Sequence, residues 1–184
     1  SMGWGEVLGS LKSLDIIKYF FLTTFGTSTP FHIFALLIHL ANVILTFILT
    51  GLLFNRKVAF IASLLFAVHP VNTEAINWIS ANHYMITYAF GIVMLIFYTL
   101  FKKSSKLKYL ALSVITYLIC LLVILYPWPF VLALLIPVFD VFLIEQKFSV
   151  KTLVNSLKWW LPFLAISIGW YLIYFGGSYS DRGA

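Results

Sequence analysis

Side chains able to do chemistry are concentrated in one short segment of an otherwise apolar chain, residues 66–80. The segment reads Phe-Ala-Val-His-Pro-Val-Asn-Thr-Glu-Ala-Ile-Asn-Trp-Ile-Ser and contains His69, Glu74 and Trp78. Because Pro70 lacks an N–H and disfavours helical geometry in the residue before it, we expect one helix to end near His69 and another to begin after it. Glu74 and Trp78 are four residues apart and would share one face of the second helix.

The start of this second helix favours the binding of an anion. Asn72 and Thr73 fall in its first turn, where short polar side chains can cap free backbone N–H groups. Helix N-termini of this kind attract phosphate and other anions. The alternative is a polar turn between two membrane helices, and the segment by itself leaves both interpretations open.

A second polar feature is a stripe formed by His32, His39 and Asn42, whose spacings of seven and three place them on one face of a helix. An ionisable side chain inside a membrane costs about 2.5 to 3.5 kcal/mol on insertion scales, so it normally faces a cavity or another helix. We interpret the stripe as hydrogen bonding between helices, with substrate binding as the alternative. Asp140, three residues after Pro137, is interpreted as a structural residue near the inner membrane surface and the lysines beyond it.

The helices that must position these residues belong to a membrane protein by composition. The chain has 184 residues, of which 62% are hydrophobic, 18% aromatic and 10% charged, and its mean hydropathy is +1.01. These values lie far outside the usage of soluble globular domains. The net charge of +6 does not indicate nucleic-acid binding, because Lys and Arg occur in short clusters between apolar runs. Cys120 is the one cysteine and can form no intrachain disulfide.

The predicted fold is an all-α polytopic transmembrane helix bundle of about six membrane segments, preceded by an amphipathic surface helix. We expect residues 1–29 to form the surface segment, residues 30–175 the bundle and residues 176–184 a polar outer tail. The second membrane segment is expected to be broken at His69. The predicted segments are residues 31–54, 58–68 continued by 71–80, 84–101, 107–125, 128–143 and 157–175.

The orientation of the bundle follows from its basic residues, which fall in alternate connections. By the positive-inside rule these connections face the cytoplasm. Both termini and the His69 loop are then on the outer (extracytoplasmic or lumenal) side of the lipid bilayer. The basic residues concerned are Arg56, Lys57, Lys102, Lys103, Lys106, Lys108, Lys147, Lys151 and Lys158.

Two stretches resemble a known family. These are Phe31-His32, followed after six residues by His39-Leu-Ala-Asn42, and the run from Leu65 to Ser80. They are similar to the N-terminal membrane domain of the transmembrane and tetratricopeptide-repeat protein O-mannosyltransferases and their prokaryotic relatives, which have the C-superfamily glycosyltransferase fold. The resemblance implies a sugar donor carried on polyprenyl phosphate and transfer to an acceptor on the outer or lumenal face.

The resemblance also implies roles for individual residues. His69, the following helix start and His83 would hold the departing lipid phosphate, and Glu74 would orient His69 or the sugar hydroxyls. Further substrate-binding candidates are Trp78, His39 and Asn42.

Two segments depart from the family pattern. Ala81-Asn-His-Tyr84 stands where the family usually has Gly-Arg and a nearby Asp, and Tyr126-Pro127 where it usually has a Lys-Glu pair. The family's catalytic acids lie in a loop after an earlier span that this sequence does not contain. We therefore leave the catalytic residues unassigned, and expect a fragment or a divergent relative that does not transfer sugar by itself.

Two other function classes stay open. One is a non-catalytic polytopic membrane domain, either a lipid-phosphate binder or a scaffold. The other is a small-molecule transporter, in which broken helices also occur, although no inverted repeat is recognisable. The sequence has no zinc-ligand spacing, phosphate-binding glycine loop or nucleophile elbow. No metal site or certain cofactor is predicted, and a divalent cation is left open.

Overall fold

The computed structural model describes residues 29–77, 82–124, 130–144 and 150–180. Helices account for 96% of these residues and no strand occurs among them, which confirms the predicted all-α class. The α-helices in chain order are α1 (Thr29–Leu53), α2 (Arg56–Val68), α3 (Pro70–Asn77), α4 (Asn82–Ser104), α5 (Leu107–Ile124), α6 (Phe130–Phe139) and α7 (Val150–Ser180). A π-helical segment, Asp140–Ile144, directly follows α6.

Local sequence signals explain where several helices begin and end. Asn55 is the N-cap of α2, and its side chain accepts hydrogen bonds from the backbone N–H groups of Lys57 (3.0 Å) and Val58 (3.1 Å). Between α4 and α5, Ser105 adopts the left-handed conformation with φ of 56°. Both turns are short, so α1 and α2, and likewise α4 and α5, form antiparallel neighbours.

The longest helix differs most from its predicted bounds. Its membrane segment was expected at residues 157–175, whereas α7 begins at Val150 and continues to Ser180. The reason is that hydropathy marks only the apolar part of a helix, and the first turns of α7 contain Lys151 and Lys158. The predicted surface helix falls on residues 1–29, nearly all of which lie outside the described residues.

α4 is the central helix of the bundle. It packs against α1 on one side and α5 on the other, and α6 packs against α7. Large side chains from α4, α5 and α7 meet in the core, among them Tyr98, Tyr117 and Phe163, each fully buried. At Gly91 of α4, an added Cβ atom would lie 3.1 Å from Leu132 Cδ2 of α6, so this glycine leaves room for the leucine side chain.

Besides its apolar core, the structure leaves many large apolar side chains exposed and buries several polar ones. One face of α1 leaves large apolar side chains more than half exposed, including Ile33, Leu37 and Ile44. The opposite face buries His39 and Asn42. Contiguous exposed apolar surface of this extent marks a site of contact with membrane or protein. Among the described residues, two helices are long and apolar enough to cross a membrane: α1 and the His83–Ser104 part of α4.

Candidate functional site

The helix is interrupted between α2 and α3, at the position that the sequence predicted. His69 has extended geometry (φ −65°, ψ 131°) and α3 begins at Pro70. The exposed side chain of His69 turns back on the next helix, since its Nδ1 accepts a hydrogen bond of 3.3 Å from the backbone N–H of Val71. A neutral imidazole whose Nδ1 accepts carries its proton on Nε2. His69 therefore presents an N–H donor that its own backbone does not use.

Side chains satisfy the carbonyl groups at the end of α2, which would otherwise lose their helical partners. His39 Nε2 lies 3.1 Å from the carbonyl oxygen of Ala67, and because that oxygen can only accept, Nε2 is the donor. The side-chain amide of Asn72 donates to the carbonyl oxygen of Phe66. We expected Asn72 to cap an N–H group of α3; the hydrogen bond described here is made by its amide nitrogen, to the end of α2.

Asn42 and the residues around it connect α1 to α4. The Asn42 amide donates to the carbonyl oxygen of Met85 at 3.0 Å, across helices. One turn further, Thr46 Oγ1 donates to the Asn42 carbonyl oxygen (2.7 Å) and lies 3.0 Å from the Tyr88 hydroxyl. Phe66 lies between the rings of His39 and Tyr88, with centroid separations of 5.7 and 4.8 Å.

The structure thus brings together part of the set that the sequence proposed. His39 and His69 both lie at the end of α2: His39 donates to the Ala67 carbonyl oxygen, and His69 is the residue that follows the helix. His83 lies in the first turn of α4, two residues before the partner of Asn42, with its ring 3.9 Å from that of Tyr84. His32 is exposed, nearer the start of α1.

Two of the proposed site residues cannot be placed in this arrangement. Glu74 belongs to α3, but its side chain is not among those described, and Trp78 lies outside the described residues. No group of three or more His, Cys, Asp or Glu side chains converges within the part of the chain that the structure describes. The divalent cation thus stays an open prediction.

A second polar cluster surrounds Asp140, at the start of the π-helical segment. Asp140 is fully buried, and both its carboxylate oxygens lie 3.1 Å from Lys102 Nζ. The Tyr98 hydroxyl donates to Oδ2 at 3.2 Å, and the Ser156 hydroxyl donates to the same oxygen. One carboxylate therefore joins α4 and α7 to the end of α6.

The sequence placed Asp140 near lysines but did not identify its partner. Lys102 comes from α4, not from the lysines that follow Asp140 in the chain. The sequence signal for such a partner is that Asp140 is an ionisable residue within an apolar run, and inside a membrane an ionisable side chain requires a partner. Pro137 lacks the N–H that would bond to Ala133, and the helix continues after it with the wider π geometry.

Comparison with known proteins gives no match to a family model, a curated protein or a solved structure. The arrangement of the side chains is therefore the basis of the functional argument.

Proposed function

We propose that the chain is a multi-pass membrane domain that binds the phosphate of a polyprenyl-phosphate sugar at His69 and serves a glycosyltransferase on the outer or lumenal face. The observation that carries the proposal is the exposed imidazole at the helix break, whose Nε2–H is available to an anion because Nδ1 is bonded to Val71. A hydrogen bond to a charged phosphate is shorter and stronger than one between neutral groups.

Membrane insertion is supported by the exposed surface of the helices. On α2, which packs chiefly against α1, Phe60, Ile61 and Leu65 are about 60% exposed. In water the exposed part of each such side chain would forgo about 1 to 2 kcal/mol of burial free energy. A hydrocarbon environment removes this cost, and it also explains why His39 and Asn42 face other helices.

The proposed orientation places His69 on the outer side. Lys103 Nζ donates to the carbonyl oxygen of Leu52, so the basic turn after α4 and the basic turn after α1 lie at one end of the bundle. The positive-inside rule assigns that end to the cytoplasm. His69 is at the other end of α2, which leads from the basic turn to the break.

The chemistry at His69 concerns the leaving group. During sugar transfer an acceptor hydroxyl attacks the anomeric carbon, the bond between that carbon and the phosphate oxygen breaks, and polyprenyl phosphate departs with the additional negative charge. An Nε2–H positioned at that phosphate stabilises the charge as it develops. The base that takes the proton from the acceptor is not assigned to a residue of this chain.

A non-catalytic scaffold is the second candidate, and the polar stripe favours it. His39 and Asn42 both bond to backbone carbonyl groups of neighbouring helices. These bonds account for their burial by helix packing alone, and His69 would then be only a polar turn.

Binding of a short-chain polyprenyl phosphate to the detergent-solubilised protein distinguishes the two candidates. We expect His69→Ala to weaken binding by about 1 to 3 kcal/mol, the range for a lost hydrogen bond to a charged group. His32→Ala is the matched control, since it removes an exposed imidazole outside the break and should leave affinity unchanged. His39→Ala should mainly lower the thermal unfolding temperature. Unchanged affinity in His69→Ala, with a large loss of stability, would assign the break to the scaffold.

A further inference from the structure

Five exposed basic side chains lie in the two turns at the proposed cytoplasmic end of the bundle. We refer to them as the basic rim: Arg56, Lys57, Lys103, Lys106 and Lys108. They are far apart in sequence, yet the bond from Lys103 to the Leu52 carbonyl oxygen connects the two turns. The basic rim is therefore one surface built from two connections.

The turn between α4 and α5 holds its lysines in a defined arrangement. Ser105 has a positive φ of 56°, and the Ser104 hydroxyl accepts a 3.4 Å hydrogen bond from the backbone N–H of Lys106. Lys108 Nζ lies 5.0 Å from the ring centroid of Tyr109. Only Ser105 and Lys106 separate the two helices, so Lys106 and Lys108 lie at their ends.

The acidic group nearest to this end in the described part of the chain does not neutralise the basic rim. Asp140 is fully buried and bonded to Lys102, Tyr98 and Ser156. A set of exposed positive charges next to apolar helix faces matches the surface of a membrane leaflet that contains anionic lipids. The positive-inside rule requires these charges only to be on one side of the membrane; it does not require the two turns to be joined.

We propose that the basic rim binds the phosphate headgroups of anionic lipids in the leaflet that surrounds it. The acyl chains of such a lipid would lie along the exposed apolar faces of α1 and α2, where Phe54 and Val58 adjoin the basic rim. This inference rests on the proposed membrane placement of the chain, and is independent of the phosphate site at His69.

The test is equilibrium binding of phosphatidylglycerol with a fluorescent label on its acyl chain to the detergent-solubilised protein. Phosphatidylcholine with the same label is the neutral comparison, and inorganic phosphate as a competitor tests for a site that takes the free anion. We expect clear preference for phosphatidylglycerol, weakened by salt because exposed charges are screened. Each lost basic charge should weaken binding about fivefold, so Lys106→Gln with Lys108→Gln should weaken it about 30-fold.

A charge-preserving control makes the result specific. Replacing the same two residues by Arg keeps the charges and should retain binding. Equal binding of both lipids, an equal loss in the Arg and Gln pairs, or displacement by millimolar phosphate would overturn the proposal. The His69→Ala variant should bind phosphatidylglycerol normally, so failure at either site is recognised separately.

Discussion

Asp140 is a fully buried carboxylate, and its negative charge must be compensated by neighbouring groups. Burying an unpaired carboxylate costs far more than a neutral polar group, and the cost is offset only by a charged partner and further hydrogen bonds. Asp140 has both, because Lys102 lies against its two oxygens and two hydroxyl groups donate to it. Asp140 therefore links α7 to α4, since Ser156 of α7 and Tyr98 and Lys102 of α4 all bond to its carboxylate.

Removing the partner of Asp140 should be strongly destabilising. Lys102→Met keeps most of the side-chain volume but leaves the carboxylate buried without a cation, and we expect a loss of about 3 to 5 kcal/mol in the free energy of unfolding. Unfolding by a denaturing detergent, monitored by circular dichroism, measures it. Lys106→Met is the matched control, since Lys106 is exposed in the turn after α4 and its replacement should cost about 0.5 kcal/mol or less. Similar losses in both variants would contradict the assigned role of the buried pair.

At the scale of the elements, the helices pack through side chains that are distant in sequence. Gly91 of α4 leaves room for the side chain of Leu132 on α6, because an added Cβ atom would lie 3.1 Å from Leu132 Cδ2. On α7, a Cβ atom added to Gly169 would meet no atom within 4 Å apart from its chain neighbours and the nearby backbone of α7 itself. The two glycines therefore have different roles although both are in helices.

This difference gives a matched pair of substitutions. Gly91→Val must displace Leu132, and we expect it to destabilise the protein by about 1 to 3 kcal/mol, the usual cost of overpacking. Gly169→Val adds the same side chain in open space and should change stability by less than about 0.5 kcal/mol. Thermal unfolding of the two variants in one detergent measures the difference. An equal effect at both positions would show that α4 and α6 are not in close contact at Gly91.

For the whole molecule, the main prediction is the membrane orientation. The experiment uses a variant in which Cys120 is replaced by Ala. In it, Ser105→Cys should react with a membrane-impermeant maleimide only after the membrane is permeabilised, because Ser105 lies in the basic turn between α4 and α5. Val71→Cys, in the exposed first turn of α3, should react in intact cells or vesicles of known sidedness. Labelling of Ser105→Cys from outside would reverse the proposed orientation and place His69 in the cytoplasm.

The amino-acid sequence was sufficient to predict features that depend on neighbouring residues. The break at His69 follows from the steric effect of Pro70 on the preceding residue, and long apolar runs favour helices whatever their neighbours are. The cap at Asn55 is equally local, since its side chain accepts from the backbone of the next helix, although it was not among the predicted features. These signals are local, which is why the helix order and most boundaries agree with the structure.

Only the tertiary structure decided which polar groups meet. Lys102 is 38 residues from Asp140 and Met85 is 43 residues from Asn42, and helical periodicity specifies the face of a residue but not the helix that packs against it. Pairings of this kind depend on the packing of whole helices, so no local pattern of residue types contains them.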